Sequence, residues 1–293
     1  MGRKKAAYRS AWYPESAQEC ASQIKGFLKE NTGVITGDFK GCVVPHAGWY
    51  YSGSIACRTI ASLASSSMDK GELLDAIVVL GIHMNIGDQP LILECSSWET
   101  PFGDLEIHKS FGAKIVEKAL EEKVKIRGKS HESFPEENTI ELQLPFIHYF
   151  FSNTPVVCIG VPPNRDATKI GNAVFNAAQD LQLDIAIIGS TDLTHYGQSY
   201  GFAPFGSGDK AYEWVKDKND ASAVKTITSM DGEEIVREGN TKKNMCCPGA
   251  TAAAATASKL LGAKKGVEVE YASSYSQSPG DSFVGYSGIL FSS

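Results

Sequence analysis

The sequence predicts an α/β protein: three layers, α/β/α, around a central mixed, partly parallel sheet. Three observations carry that expectation. Short apolar runs rich in β-branched residues recur along the chain, each ends in a polar loop with glycine or proline, and helical stretches often follow. Continuous β-branched runs of about five residues suit strands covered on both faces, and their alternation with helices points to parallel crossovers.

The elements follow in order. "GCVVP" (41–45) reads as a strand that leads into "HAGWYYSG" and the helical "SIACRTIASLASS" (54–66). "DAIVVLG" (75–81) is a second strand, opening into "IHMNIGD". "HESFPEENTIELQLPF" (131–146) clusters Glu132, Glu136, Glu137 and Glu141, and a helix start favours such acidic residues. Glu137 and Glu141 form an i,i+4 pair, so one of them can stand behind a functional site. "TPVVCIGVPP" (154–163) is a strand followed by the helix "DATKIGNAVFNAAQDLQ" (166–182). "DIAIIG" (184–189) leads into "STDLTHYG". "PGATAAAATASKLL" (248–261) reads as a helix whose small residues allow close packing, with proline and glycine in its first turn. "GVEVEYASSYS" and "SFVGYSGILFS" read as strands joined by a turn at "SPGD", which makes the sheet mixed. No repeat, low-complexity linker or break in composition divides the chain, so residues 1–293 are expected to form a single domain.

The charge balance narrows the function classes. The net charge is −6 and no basic stripe is present, so nucleic acid is not an expected partner. No window approaches the roughly 20 apolar residues of a membrane span, and the short basic "MGRKKAA" has no apolar stretch behind it. A cytoplasmic protein is the expectation. Seven scattered cysteines, an odd number, read as reduced thiols, with Cys42 and Cys158 as small buried apolar groups.

In open α/β sheets, ligands bind beyond the carboxyl ends of the strands. Of six histidines, His46, His83 and His195 lie just past apolar strands. His108 and His131 have no such placement, and His148 is expected to pack against aromatics. Asp192 stands three residues before His195, one helical turn, so the aspartate can orient the imidazole as a general acid or base. The same "STD" also suits a helix cap. The stretch "NMCCPGAT" places two thiols at a helix N-terminus, where the dipole favours thiolate. Two neutral imidazoles, His46 and His83, with the Cys246 thiolate would make a three-ligand metal site with room for water or substrate. Cys247 is expected to turn into the core, because adjacent cysteines are too close for both to ligate one ion comfortably.

"RSAWYP", "PHAGWYYSG", "VVLGIH", "WETPFGDLEI", "ENTIELQLPF", "GSTDLTHYG", the cysteine before the alanine-rich helix and "VGYSG" run in order along the chain. Together they resemble the MEMO family, which is structurally similar to the class III extradiol (LigB-like) non-haem iron dioxygenases. The resemblance implies a LigB-like α/β/α fold with a metal pocket at the strand ends. It places metal ligands on His46, His83 and Cys246, and pocket acid/base residues on Asp192 and His195. Three departures stand out. "LGIH" is one residue shorter than the family's usual "LGPxH", Asn138 replaces a pocket histidine, and Trp49 stands where tyrosine is common, removing a phenol from the expected rim.

In the dioxygenases a carboxylate is the third ligand, and a softer thiolate retunes the site. Iron or copper is the expected ion, with zinc as the alternative. A metal-dependent oxidoreductase related to the dioxygenases is the leading expectation. A module that binds metal or ligand without turnover, or a metal-assisted hydrolase, needs only the same ligands. A small molecule or an anionic ligand is the expected occupant of the strand-end pocket.

Overall fold

The apolar runs become neighbouring strands of one sheet, since each is buried on both faces and satisfies its backbone groups only against the others. The computed structural model describes residues 2–30, 33–69, 73–152 and 154–293. In chain order its strands are β1 (Arg3–Lys4), β2 (Phe39–Val44), β3 (Ala76–Gly81), β4 (Leu91–Glu94), β5 (Ser97–Thr100) and β6 (Gly103–Glu106). There follow β7 (Arg127–Ser130), β8 (Val156–Gly160), β9 (Ile185–Ser190), β10 (His195–Tyr196), β11 (Lys265–Ser273) and β12 (Phe283–Ser292). The helices are α1 (Ala17–Phe27), α2 (Ser54–Asp69), α3 (Lys109–Glu121), α4 (Asn138–Glu141), α5 (Leu144–Phe151) and α6 (Asp166–Leu181). The later ones are α7 (Asp209–Trp214), α8 (Ala221–Ser229), α9 (Gly232–Lys242), α10 (Pro248–Leu260) and α11 (Ser274–Gln277).

The main sheet has the order β10-β12-β2-β9-β3-β8-β4-β7, with β11 on β12. Its centre, β2-β9-β3-β8, is parallel, while β12 and β4 run antiparallel to their central neighbours. The sheet is thus mixed, as the sequence indicates. A second, small sheet pairs β1, β5 and β6.

Alternation along the central strands divides the core into two layers. Val43, Val78, Leu80 and Val157 cluster with Ile115 of α3, Ile170 of α6 and Ala253 of α10. Cys42, Val44, Ile77, Val79 and Cys158 point the other way, toward Ile24 of α1, Ile60 of α2 and Phe146 of α5. Helix α10 has no polar face to spare, because its residues 250–255 are all buried. Small residues let it lie against the sheet: a Cβ on Gly189 would stand 2.8 Å from the Ala254 Cβ. That contact excludes any larger pair there. Among the described residues, no helix is long and apolar enough to cross a membrane.

Two local expectations need correction. Residues 191–194 form no helical turn. Leu193 N–H donates to the Gly285 carbonyl at 2.8 Å and Gly285 N–H to that of Thr194 at 3.0 Å, so the backbone bonds go to β12 instead. His195 then begins β10, opposite Val284. The link between β11 and β12 is also more than the "SPGD" turn. It begins with α11, capped by the Ser273 hydroxyl, which accepts from Tyr275 N–H.

Candidate metal centre

The site arises where the parallel centre of the sheet ends. Strand β9 lies between β2 and β3, with Val44 opposite Ser190 and Leu80 opposite Gly189, so the three chains leave the sheet side by side. The first polar residues beyond them include His46, His83 and Asp192. This is the strand-end placement that the sequence suggested.

His46 is 1% exposed. Its backbone N–H donates to Asp192 Oδ1 at 2.7 Å, and its ring Nδ1 shares a 3.0 Å hydrogen bond with Ser190 Oγ. Nε2 is left 3.2 Å from Cys246 Sγ. The His83 ring lies edge-on to it, centroid to centroid 5.0 Å, and is about half exposed. Glu137 backs His83, with Oε1 3.4 Å from ring Nδ1 and Oε2 3.4 Å from the backbone nitrogen. Cys246 and the Asp192 loop bind each other twice. Asp192 N–H donates to the sulfur at 3.2 Å, and Cys246 N–H donates to the Asp192 carbonyl at 3.1 Å.

His83 reaches its neighbour through a strained turn. Ile82 has φ +71°, a conformation uncommon for a β-branched residue. Its N–H donates to Thr139 Oγ1 at 2.7 Å, which holds the turn in place. The tight bend in "LGIH" brings its imidazole back beside His46.

Charge in the cluster is redistributed. For Cys246, burial opposes ionisation, but the hydrogen bond from Cys247, the charge of His46 and the neighbouring His195 and His46 imidazoles outweigh it and hold the thiol well below its ordinary value. Burial and the neighbouring Cys246 push the Cys247 thiol far up. Burial also works against protonated imidazoles, yet Cys246 and Glu137 raise His83 to about 11, and Asp192 with Cys246 raises His195 to about 10. His46 is raised as well, burial being outweighed by Asp192 and Cys246.

The ligand atoms of His46, His83, Cys246 and Cys247 all lie within 4.8 Å of one another. The donors fit a metal ion: a soft thiolate beside imidazoles, with both Nδ1 atoms engaged by Ser190 and Glu137 in the way that orients ligating histidines. A metal–nitrogen distance of about 2.0 Å and a metal–sulfur distance of about 2.3 Å can bridge the 3.2 Å between His46 Nε2 and Cys246 Sγ. Cys247 is buried at 3% exposure, as expected, yet its sulfur remains 3.8 Å from that of Cys246. The sequence reading did not foresee that proximity.

Asp192 and His195 do come together, without the helix. Asp192 Oδ2 is 3.7 Å from His195 Nε2 and 3.8 Å from His46 Nε2. His195 Nε2 is buried and has no hydrogen-bond partner, and the ring leans on Tyr200, centroids 4.9 Å apart. A cavity of about 610 Å³ opens over the cluster, lined by His46, His83, Asn138, Asp192, His195 and Tyr200 among others. Asn138 Nδ2 donates to the His46 carbonyl at 3.1 Å, so the amide braces a ligand loop.

Trp49 is not at the rim. It is 2% exposed and stacks on Phe146 at 4.1 Å, because the indole gains more by filling the core beside α1 and α5. Phenols are not lost from the mouth, which Tyr50 and Tyr51 line together with Tyr200. Of the two carboxylates paired in the sequence, only Glu137 serves the site. Glu141 turns away and accepts from Ala7 N–H, Tyr8 N–H and Tyr13 OH, stapling the N-terminal segment. His148 packs against Phe102 and bonds Thr100, and His108 caps α3.

Comparison with known proteins gives one family. The family described as Memo-like protein matches residues 4–290. A MEMO1 family protein of Pyrococcus furiosus is 30% identical over 302 residues, covering 98% of each chain. One of Methanopyrus kandleri is 30% identical over 97% of each chain, and one of Thermococcus onnurineus 32% identical over 85% of each. With its strand-end histidines, its cysteine before α10 and a family match along nearly its whole length, the chain belongs to the Memo-like family.

Proposed function

We propose that the protein is a metal-dependent redox enzyme related to the extradiol dioxygenases, in which His46, His83 and Cys246 hold iron or copper. The observation that carries this reading is the 3.2 Å approach of His46 Nε2 to Cys246 Sγ, with His83 in the same cluster and an open cavity above. When bound, the ion supplies open coordination positions where a small-molecule substrate and oxygen can exchange electrons.

The chain's own residues do the rest. Asp192 is fixed by the His46 N–H and leaves Oδ2 facing the two imidazoles. His195 Nε2, buried and unpartnered beside the cavity, takes or gives the proton that the substrate exchanges, and the Asp192 carboxylate stabilises its protonated form. Tyr200 lies against the ring, centroids 4.9 Å apart, and limits its swing. Among the described residues the cavity lining carries no lysine or arginine, so an anionic substrate atom would find its positive partners at the histidines of the floor.

The test is metal content by elemental analysis after anaerobic purification, wild type beside Cys246→Ser. Near-stoichiometric iron or copper that is lost in the variant supports the site. If neither protein takes up iron, copper or zinc after reconstitution, the reading is wrong. With metal established, His195→Ala should retain the ion while turnover of any redox substrate found falls about 10²–10⁴-fold.

A further inference from the structure

We infer that Cys246 and Cys247 form a dithiol that reduces hydroperoxides when no metal ion is held, closing to a disulfide between adjacent residues. This goes beyond the metal reading and requires none of its chemistry.

Side chains of consecutive residues in an extended chain point to opposite sides. Here they do not. The chain turns at Cys247 (φ −129°, ψ 60°) to start α10, and the two sulfurs lie 3.8 Å apart. The turn is tied down at both amides: Cys246 N–H donates to the Asp192 carbonyl and Cys247 N–H to Thr191 Oγ1, at 3.1 and 3.0 Å. Nothing in starting a helix at Pro248 calls for two converging thiols. A disulfide needs the sulfurs at about 2.05 Å, and between adjacent residues, whose Cα atoms are about 3.8 Å apart rather than the usual 4.4–6.8 Å, it closes a strained and easily reduced eight-membered ring.

The two thiols are also unequal. Cys246 is partly exposed, whereas Cys247 and the other five cysteines are buried. A reagent therefore meets Cys246 first, and Cys247 waits behind it. Polar groups surround the Cys246 sulfur: Asp192 N–H donates to it at 3.2 Å, and His46 Nε2 and Thr191 Oγ1 lie 3.2 and 3.6 Å away. The cavity of about 610 Å³ is walled by His46, His83 and Asp192, the neighbours of Cys246, rather than by Cys246 itself, and its volume admits organic hydroperoxides as well as hydrogen peroxide.

The chemistry balances in two steps. Cys246 Sγ attacks the terminal oxygen of the hydroperoxide; the S–O bond forms, the O–O bond breaks, and the thiol proton ends on the leaving oxygen as alcohol or water. The product is a sulfenic acid at Cys246. Cys247 Sγ then attacks Cys246 Sγ; the S–S bond forms, the S–O bond breaks, and hydroxide leaves with the Cys247 proton as water. Two thiols are oxidised by two electrons and one hydroperoxide is reduced. An external dithiol restores both thiols by exchange.

The test uses the full chain, freed of metal by a chelator and treated with hydrogen peroxide or cumene hydroperoxide. Trypsin releases Asn244–Lys259, which contains both cysteines. Wild type should yield this peptide lighter by two hydrogens, with neither thiol open to iodoacetamide, and dithiothreitol should restore both. One alcohol should form per chain oxidised. Cys247→Ser should stop at a sulfenic acid that dimedone traps at Cys246. Fragmentation separates these products from oxidation of Met245 in the same peptide. The inference fails if wild type collects oxygen on Cys246 with no disulfide form, or if both thiols stay open to iodoacetamide after treatment.

Discussion

Glu137 holds His83 from two sides, its carboxylate oxygens lying 3.4 Å from the ring Nδ1 and 3.4 Å from the backbone nitrogen. The same side chain accepts from Thr139 N–H at 2.9 Å and so caps α4. One buried carboxylate thereby sets both the orientation of an imidazole and the start of the segment behind it.

Glu137→Gln keeps the shape but removes the charge and turns one of the two acceptor oxygens into a donor, so it should weaken zinc binding about tenfold, whereas Glu137→Ala should weaken it about 100-fold. Competition with a chromophoric chelator measures both. Equal affinity in all three proteins would mean that Glu137 does not act on the ligand.

Thr139→Val preserves shape and deletes the acceptor for Ile82 N–H, leaving a buried donor unpaired at a strained turn. It should cost about 1–3 kcal/mol of stability in urea unfolding and also loosen His83. A variant as stable as wild type would show that the turn at Ile82 holds without this bond.

Gly189→Val tests the close approach of α10 to the sheet. The first added carbon already meets the Ala254 Cβ at 2.8 Å, so the larger side chain should destabilise by about 1–3 kcal/mol or more. An unchanged denaturation midpoint would show that the helix can move away freely.

Asp220 makes a pH prediction away from the ligands. Burial pushes its carboxyl up to about 7, against hydrogen bonds from Thr194 and Tyr271 that favour the ionised form. Between the unfolded value of about 3.9 and the folded one, the native state holds a proton that the unfolded state has lost. Stability from this group is therefore fully present below about pH 4, falls as pH rises toward about 7, and is flat above. Asp220→Asn cannot lose that proton. Its stability relative to wild type should climb across this window by up to a few kcal/mol. Parallel urea profiles at both ends of the window would overturn the assignment.

Much of the site was legible because it is local. A β-branched run followed at once by His46, His83 or Asp192 places that residue at a strand end whatever the order of strands. The family resemblance rested on the same short motifs. The Asp192–His195 pair shows the limit. Their spacing matches a helical turn, but the amides and carbonyls between them bind Gly285, more than 90 positions later, and no local pattern records that pairing.

By itself, the sequence determined the four central strands and the two C-terminal ones, the close-packing helix at 248–260, the strand-end histidines and the family, while β1, β4 to β7 and β10 carried no signal read from it. These follow from periodicity, side-chain size and short motifs, all properties of neighbouring residues. Only the tertiary structure decided that Cys246 meets His46 across 200 positions, that Glu137 serves the site while Glu141 staples the N-terminal segment, and that Trp49 fills the core and leaves the rim to Tyr50 and Tyr51. The physical reason is that strand order, register and the direction of each loop are settled by burial and hydrogen bonding between distant segments. A carboxylate or an aromatic ring can satisfy either role until those segments meet.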